Sequence, residues 1–158
     1  MLIVSACLAG FPCRYDGKKA INPDVQQLVR EGKAIPVCPE QLGGLPTPRS
    51  AAEIKAGKVI NTDGDDVTEA FEKGAAVVLE MAQQYGCTDA LLKARSPSCG
   101  KGLVYDGTFS GTLIAGNGKT AEVSPATRCN FMYVPQGNSL MSGTIRENLL
   151  LADHNAGE

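Results

Sequence analysis

The chain has 158 residues, the length of one domain, and 43% of them are hydrophobic, which excludes a disordered or fibrous protein. Its 15 Lys+Arg against 17 Asp+Glu leave a net charge of −2, so there is no basic excess to neutralise phosphates, which argues against a general nucleic-acid binder. Six cysteines are too sparse for a secreted disulfide scaffold, and beside a single histidine they tilt any metal site toward sulfur ligands.

The first predicted element is the short apolar strand Leu2–Ala6, which ends at Cys7. Its run is too short for a signal peptide, and nothing in the chain approaches the ~18 apolar residues of a membrane span. The expected compartment is the cytoplasm, where cysteines serve as thiols, ligands or catalysts. Gly10-Phe11-Pro12 and Tyr15-Asp16-Gly17 mark a long loop. Asn22 caps a predicted helix with Pro23 at its first position, and Gly32 stops it. Ala34–Val37 reads as a second buried strand ending at Cys38, and the Pro- and Gly-rich stretch Pro39–Arg49 reads as a non-regular loop. Lys58–Ile60 is a minor strand. From Thr68 to Tyr85, Phe71, Ala75, Val78, Leu79 and Ala82 fall at helical spacing, and Gly86 ends the helix. Ala90–Leu92 is a third strand, followed by Ser96-Pro97-Ser98-Cys99-Gly100. Hairpin pieces follow at Leu103–Tyr105 and Thr108–Ile114.

Alternating strands and helices predict an α/β, Rossmann-like domain: a mainly parallel sheet flanked by helices, with a small hairpin as an antiparallel edge. Cys7, Cys38 and Cys99 each lie just past the carboxyl end of a predicted strand. In open parallel sheets those ends converge on one ligand crevice. A single cysteine is often only a small buried hydrophobe, but three at matching topological positions suggest a cluster of thiols in space.

No C-x-x-C pair is present, which disfavours structural zinc, although Cys13 could be a fourth ligand. An iron–sulfur cluster accepts dispersed thiolates, and with three protein ligands one iron stays open as a Lewis acid. Around these positions, Glu40 could do acid–base work or be an exposed loop carboxylate, and Ser96 and Ser98 could donate to sulfur or substrate or simply make the turn. Arg14, Tyr15 and Asp16 could present a cation and a phenol to the crevice, or simply make a turn. Lys93 and Arg95 would favour an anionic ligand or be solvated. Gly116-Asn117-Gly118-Lys119-Thr120 ends like a phosphate-binding loop, but Leu113 stands where its first glycine belongs, which speaks against nucleotide hydrolysis.

Several long motifs occur together and in order. They are Ser5-Ala6-Cys7-Leu8-Ala9-Gly10, Cys13-Arg14-Tyr15-Asp16-Gly17, Pro36-Val37-Cys38-Pro39-Glu40, Gly43-Gly44-Leu45-Pro46-Thr47-Pro48-Arg49, Lys93-Ala94-Arg95-Ser96-Pro97-Ser98-Cys99-Gly100 and Tyr105-Asp106-Gly107-Thr108-Phe109. The chain over residues 1–121 thereby resembles the TudS family of thiouracil desulfidases, formerly domain of unknown function 523. The resemblance implies a [4Fe–4S] cluster held by Cys7, Cys38 and Cys99, an acid–base role for Glu40 and a substrate-contacting role for Ser96. It implies removal of sulfur from a thiolated pyrimidine, with 2-thiouracil and water giving uracil and hydrogen sulfide. The partner expected is a small thiopyrimidine, with neither nucleic acid nor membrane. Two other readings stand beside it: a non-catalytic sulfur or metal carrier, and a desulfurase that uses a thiol nucleophile without a cluster.

Residues 122–158 depart from that pattern. Phe131–Leu140 and Gly143–Leu149 resemble the Q-loop stretch of an ABC-transporter ATPase, without the motifs a working ATPase needs. The expected division is a desulfidase domain over 1–121 and an atypical, possibly fused tail over 122–158 that closes the same domain. Phe131–Val134 is placed to supply a last strand and Thr144–Ala152 a helix, while Cys129 and His154 are given no metal role.

Overall fold

The fold comes from a computed structural model, described here over residues 1–123 and 130–134. Its centre is a four-stranded parallel sheet in the order β2-β1-β5-β8, formed by β1 (Leu2–Ser5), β2 (Ala34–Val37), β5 (Asp89–Lys93) and β8 (Asn130–Val134). The α/β, mainly parallel architecture is the one expected. Pro36, which has no N–H to give a ladder, sits in β2 at the sheet's edge. Successive side chains of a strand point to opposite faces, and here each face is covered. Val4 and Leu91 pack on one side with Val25 of α1 (Pro23–Arg30). Ile3, Ala90 and Leu92 pack on the other with Val78 and Ala82 of α3 (Thr68–Gln84). Burial on both faces is why these strands read as continuous apolar runs.

Local chemistry starts the helices where expected. The Asn22 side chain accepts from the amides of Asp24 and Val25 at 3.0 and 3.1 Å, with Pro23 in the first turn of α1. Asp66 accepts from the Thr68 amide at the start of α3.

Four expectations change. Pro39–Leu42 is a helical turn, α2, rather than part of an irregular loop. The minor strand is half of an antiparallel hairpin, β3 (Ala52–Lys55) with β4 (Lys58–Asn61). The second hairpin pairs β6 (Leu103–Tyr105) with a shorter strand than expected, β7 (Leu113–Ala115), because residues 106–112 turn on internal Asp, Ser and Thr hydrogen bonds. Both hairpins form their own two-stranded sheets, so neither is an antiparallel edge of the main sheet; β8, at that edge, is parallel. A short helix, α4 (Lys119–Glu122), follows β7. The Thr144–Ala152 helix, Cys129, His154 and most of the Q-loop-like stretch lie outside the described residues. No helix among those described is long and apolar enough to cross a membrane.

The position of α2 depends on two glycines. A Cβ on Gly43 would lie 1.9 Å from the Ala70 carbonyl oxygen, and one on Gly74 would lie 1.8 Å from the Pro39 carbonyl oxygen. Backbone therefore packs on backbone where α2 crosses α3. A glycine inside a helix costs about 0.5–1 kcal/mol relative to alanine, so the contact offsets that loss. Gly74→Ala is expected to destabilise the fold by about 1–3 kcal/mol net, the scale of overpacking. A denaturant melt should show a lowered midpoint at unchanged slope, and an unchanged midpoint would mean the crossing is not tight.

Candidate functional site

The carboxyl ends of β1, β2 and β5 open onto one cavity of about 330 Å³. Cys7 follows β1 and Cys38 follows β2, while Cys99 lies on the turn beyond β5; all three line the cavity. Cys13 joins them, because the loop after Cys7 folds back and the Ala20 amide donates to the Cys7 carbonyl at 3.0 Å. Cys7, Cys13, Cys38 and Cys99 are all free thiols, and Cys38 is the most accessible of them.

Cys13 sits between Cys7 and Cys38, where its single S–H can bond to one sulfur or the other, and Cys38 Sγ donates to the Cys13 carbonyl at 3.6 Å. Cys13 holds its own proton tightly for that reason, and its thiol is pushed far up. Bonding from Cys13 pulls the other two down, Cys38 to about 7. Lys93 and Arg14 add positive charge beside Cys7. Burial in turn lowers the Lys93 ammonium, with Cys7 opposing that shift. Cys99 is pushed up to about 12 by burial, although the Ser5 hydroxyl bonds to it. Ser5 also accepts from the Lys93 amide at 2.9 Å, tying the ends of β1 and β5 together behind the thiols.

The donor set fits an iron–sulfur group. Among the described residues no three His, Cys, Asp or Glu side chains close on a single-ion position. Four thiols line the cavity with Lys93 and Arg14 beside Cys7, a sulfur-rich, cationic donor set of the kind that holds thiolate-ligated iron–sulfur clusters.

Two further polar groups stand at the wall. Glu40, in the first turn of α2, receives the Arg49 Nε at 2.6 Å on Oε2. Ser96 Oγ accepts from the amides of Ser98 and Cys99 at 3.1 and 3.2 Å. With its lone pairs engaged there, the hydroxyl proton is free to be donated.

The family model described as 2-thiouracil desulfurase matches residues 2–135. The chain belongs to the 2-thiouracil desulfurase family. A Bacillus subtilis (strain 168) relative, the uncharacterized protein YbbK, is 45% identical over 131 residues, which span 77% of this chain and 87% of YbbK. A solved structure of a [4Fe-4S]-dependent thiouracil desulfidase, TudS, superposes with a TM-score of 0.82 at 38% identity, covering 97% of each chain.

In this desulfurase-family chain the expected site residues separate. Cys7, Cys13, Cys38, Cys99, Glu40, Ser96, Arg14 and Tyr15 line one cavity, together with Lys93 and Arg95. Asp16 and Ser98 are not in its wall. Asp16 lies behind Arg14 and grips its guanidinium with both oxygens at 3.1 Å, so it aims the cation from outside. Ser98 is 1% exposed, since the Ser96-capped turn carries its side chain away from the cavity.

Arg49 and Glu53 also line the cavity without having been singled out from the sequence. Glu53 accepts from the Gly107 and Phe109 amides at 3.0 and 2.9 Å, pinning the 106–112 loop over one side. A lone charge in a short strand carries no local signal for such a role. Only the packing of β3 against β6 reveals it.

Proposed function

We propose that this chain is a thiouracil desulfidase that hydrolyses 2-thiouracil to uracil and hydrogen sulfide, with a [4Fe–4S] cluster held by Cys7, Cys38 and Cys99. The observation that carries the reading is the convergence of these three thiols on one cavity whose wall also holds Glu40 and Ser96. When bound, the cluster supplies an iron with an open position, a Lewis acid suited to a thiocarbonyl sulfur.

The chain's own residues do the rest. Glu40 is placed to take a proton from the attacking water, or to return one to the pyrimidine nitrogen. The Ser96 hydroxyl donates to a substrate oxygen or ring nitrogen, its own oxygen being held by two backbone amides. Lys93 and Arg14 offset the negative charge of the thiolates. No electrons are gained or lost overall, since water replaces sulfide at one carbon.

The cavity's volume falls at the small end of the ~300–1,000 Å³ typical of ligand pockets, and with the net charge of −2 this favours a free thiopyrimidine over nucleic acid. Thiolates and an oxygen-sensitive cluster suit the reducing cytoplasm.

Anaerobic reconstitution with iron and sulfide, followed by assay of 2-thiouracil, tests the reading. Many equivalents of hydrogen sulfide and uracil per protein are expected. A single equivalent of transferred sulfur would favour a carrier, and turnover without iron would favour a thiol nucleophile such as Cys38. In the same assay Ser96→Ala should keep its iron and lose about 10-fold or more in kcat/KM, as the loss of a positioned donor does. An unchanged value would remove Ser96 from the reaction.

A further inference from the structure

We infer that Arg49 is the positioning residue for Glu40, fixing the carboxylate so that one oxygen faces the cavity. The inference rests on the desulfidase reading above. The Arg49 side chain is only 6% exposed and that of Glu40 16%, so the pair is largely shielded from water. Beyond its 2.6 Å bond to Glu40 Oε2, the guanidinium donates through Nη1 to the Pro46 carbonyl and to Thr47 Oγ1, both at 3.0 Å. Through Nη2 it donates to the Cys13 carbonyl, also at 3.0 Å. The Arg49 main-chain amide donates to the Tyr15 carbonyl at 2.8 Å.

One side chain thus joins three parts of the cavity wall: the Cys13–Tyr15 loop, the turn that carries Glu40, and its own loop. A guanidinium so fully engaged has little left to offer a substrate, which distinguishes Arg49 from the cavity cations Lys93 and Arg14. What it does offer is orientation. A glutamate side chain has three free torsions, and a bound oxygen removes most of that freedom before the substrate arrives. It also places positive charge beside a carboxylate that lies near the sulfurs of Cys38 and Cys99, where like charges would otherwise repel. A lysine could supply the charge but not the fork that reaches all four acceptors.

The test is a double-mutant cycle on anaerobically reconstituted protein, with iron and acid-labile sulfide measured for every variant. Arg49→Gln should keep its iron and sulfide, hold KM within a few fold, and lower kcat by on the order of 10²-fold, the effect of a misplaced catalytic group. Arg49→Lys should recover part of that loss. In a Glu40→Gln background, followed with enzyme in excess over 2-thiouracil, Arg49→Gln should change the rate by less than about twofold, because residues that act as one unit do not add. A crystal structure of Arg49→Gln should show the Glu40 carboxylate displaced. Near-wild-type kcat in Arg49→Gln, a full multiplicative loss on top of Glu40→Gln, or loss of iron from both Arg49 variants would overturn the assignment. Wild-type protein that binds iron and sulfide yet turns over no thiouracil would sink the desulfidase reading itself.

Discussion

Alanine in place of Cys7, Cys38 or Cys99 is expected to leave a folded protein that no longer takes up iron. Each of the three thiols arrives at the cavity from a different strand end, so Cys13 is the one other described thiol at the wall that could stand in for a lost one. Changes in outer-shell groups typically cost 10–100-fold in metal affinity, and loss of a ligand should cost more than that. Cys13→Ala is the informative control. Cys13 stands on the loop after Cys7 rather than just past a strand end, and the three expected ligands do not include it. That variant should therefore retain iron and sulfide, with the Cys7 and Cys38 thiols less easily ionised. The check is an iron and acid-labile sulfide count after anaerobic reconstitution, together with the broad visible absorption of the brown protein. A full complement of iron in any of the first three variants would remove that residue from the ligand set. Loss of iron in Cys13→Ala would bring Cys13 into it.

The sheet and its thiols were legible because strands buried on both faces betray themselves as apolar runs, and the runs of β1, β2 and β5 stop one or two residues, or one turn, short of a cysteine. What stayed hidden depends on contacts between distant segments. Helix α2 is one turn in a Pro- and Gly-rich stretch, and its place comes from Gly43 at its end and Gly74 in α3, which let the two helices meet backbone to backbone. Strand β3 carries Glu53 on an inward position, where the pattern of a half-buried strand would put an apolar residue; the carboxylate is satisfied by amides of a loop more than 50 residues away. Arg49 belonged to a recognised motif, yet nothing in the motif said which carboxylate it would meet. Ser98 failed in the opposite sense. Its adjacency to Cys99 suggested the cavity, but the hydroxyl of Ser96 caps that turn and sends Ser98 inward.

Glu40→Gln should retain the iron–sulfur site and lose 10²- to 10⁴-fold in kcat, the usual contribution of a positioned general acid–base group. Glutamine is nearly the same size, and its amide oxygen can still accept from Arg49, so the wall of the cavity keeps its shape. What disappears is the ability to take a proton. KM should change little, because the interaction is made as the water is activated rather than when the substrate binds. Glu40→Ala is the less clean experiment. It strands the buried Arg49 guanidinium without its carboxylate, and breaking a buried pair by removing one partner costs on the order of 3–5 kcal/mol. Part of that is recovered here, since three of the four acceptors around Arg49 remain. The alanine variant should therefore melt earlier as well as turn over slowly, whereas the glutamine variant should melt close to wild type. Hydrogen sulfide release under excess 2-thiouracil, read beside the iron content and a thermal melt, separates the two effects. Glu40→Gln with full iron and a rate within about threefold of wild type would assign the proton to another group at the cavity, and Ser96 would then be the first to examine.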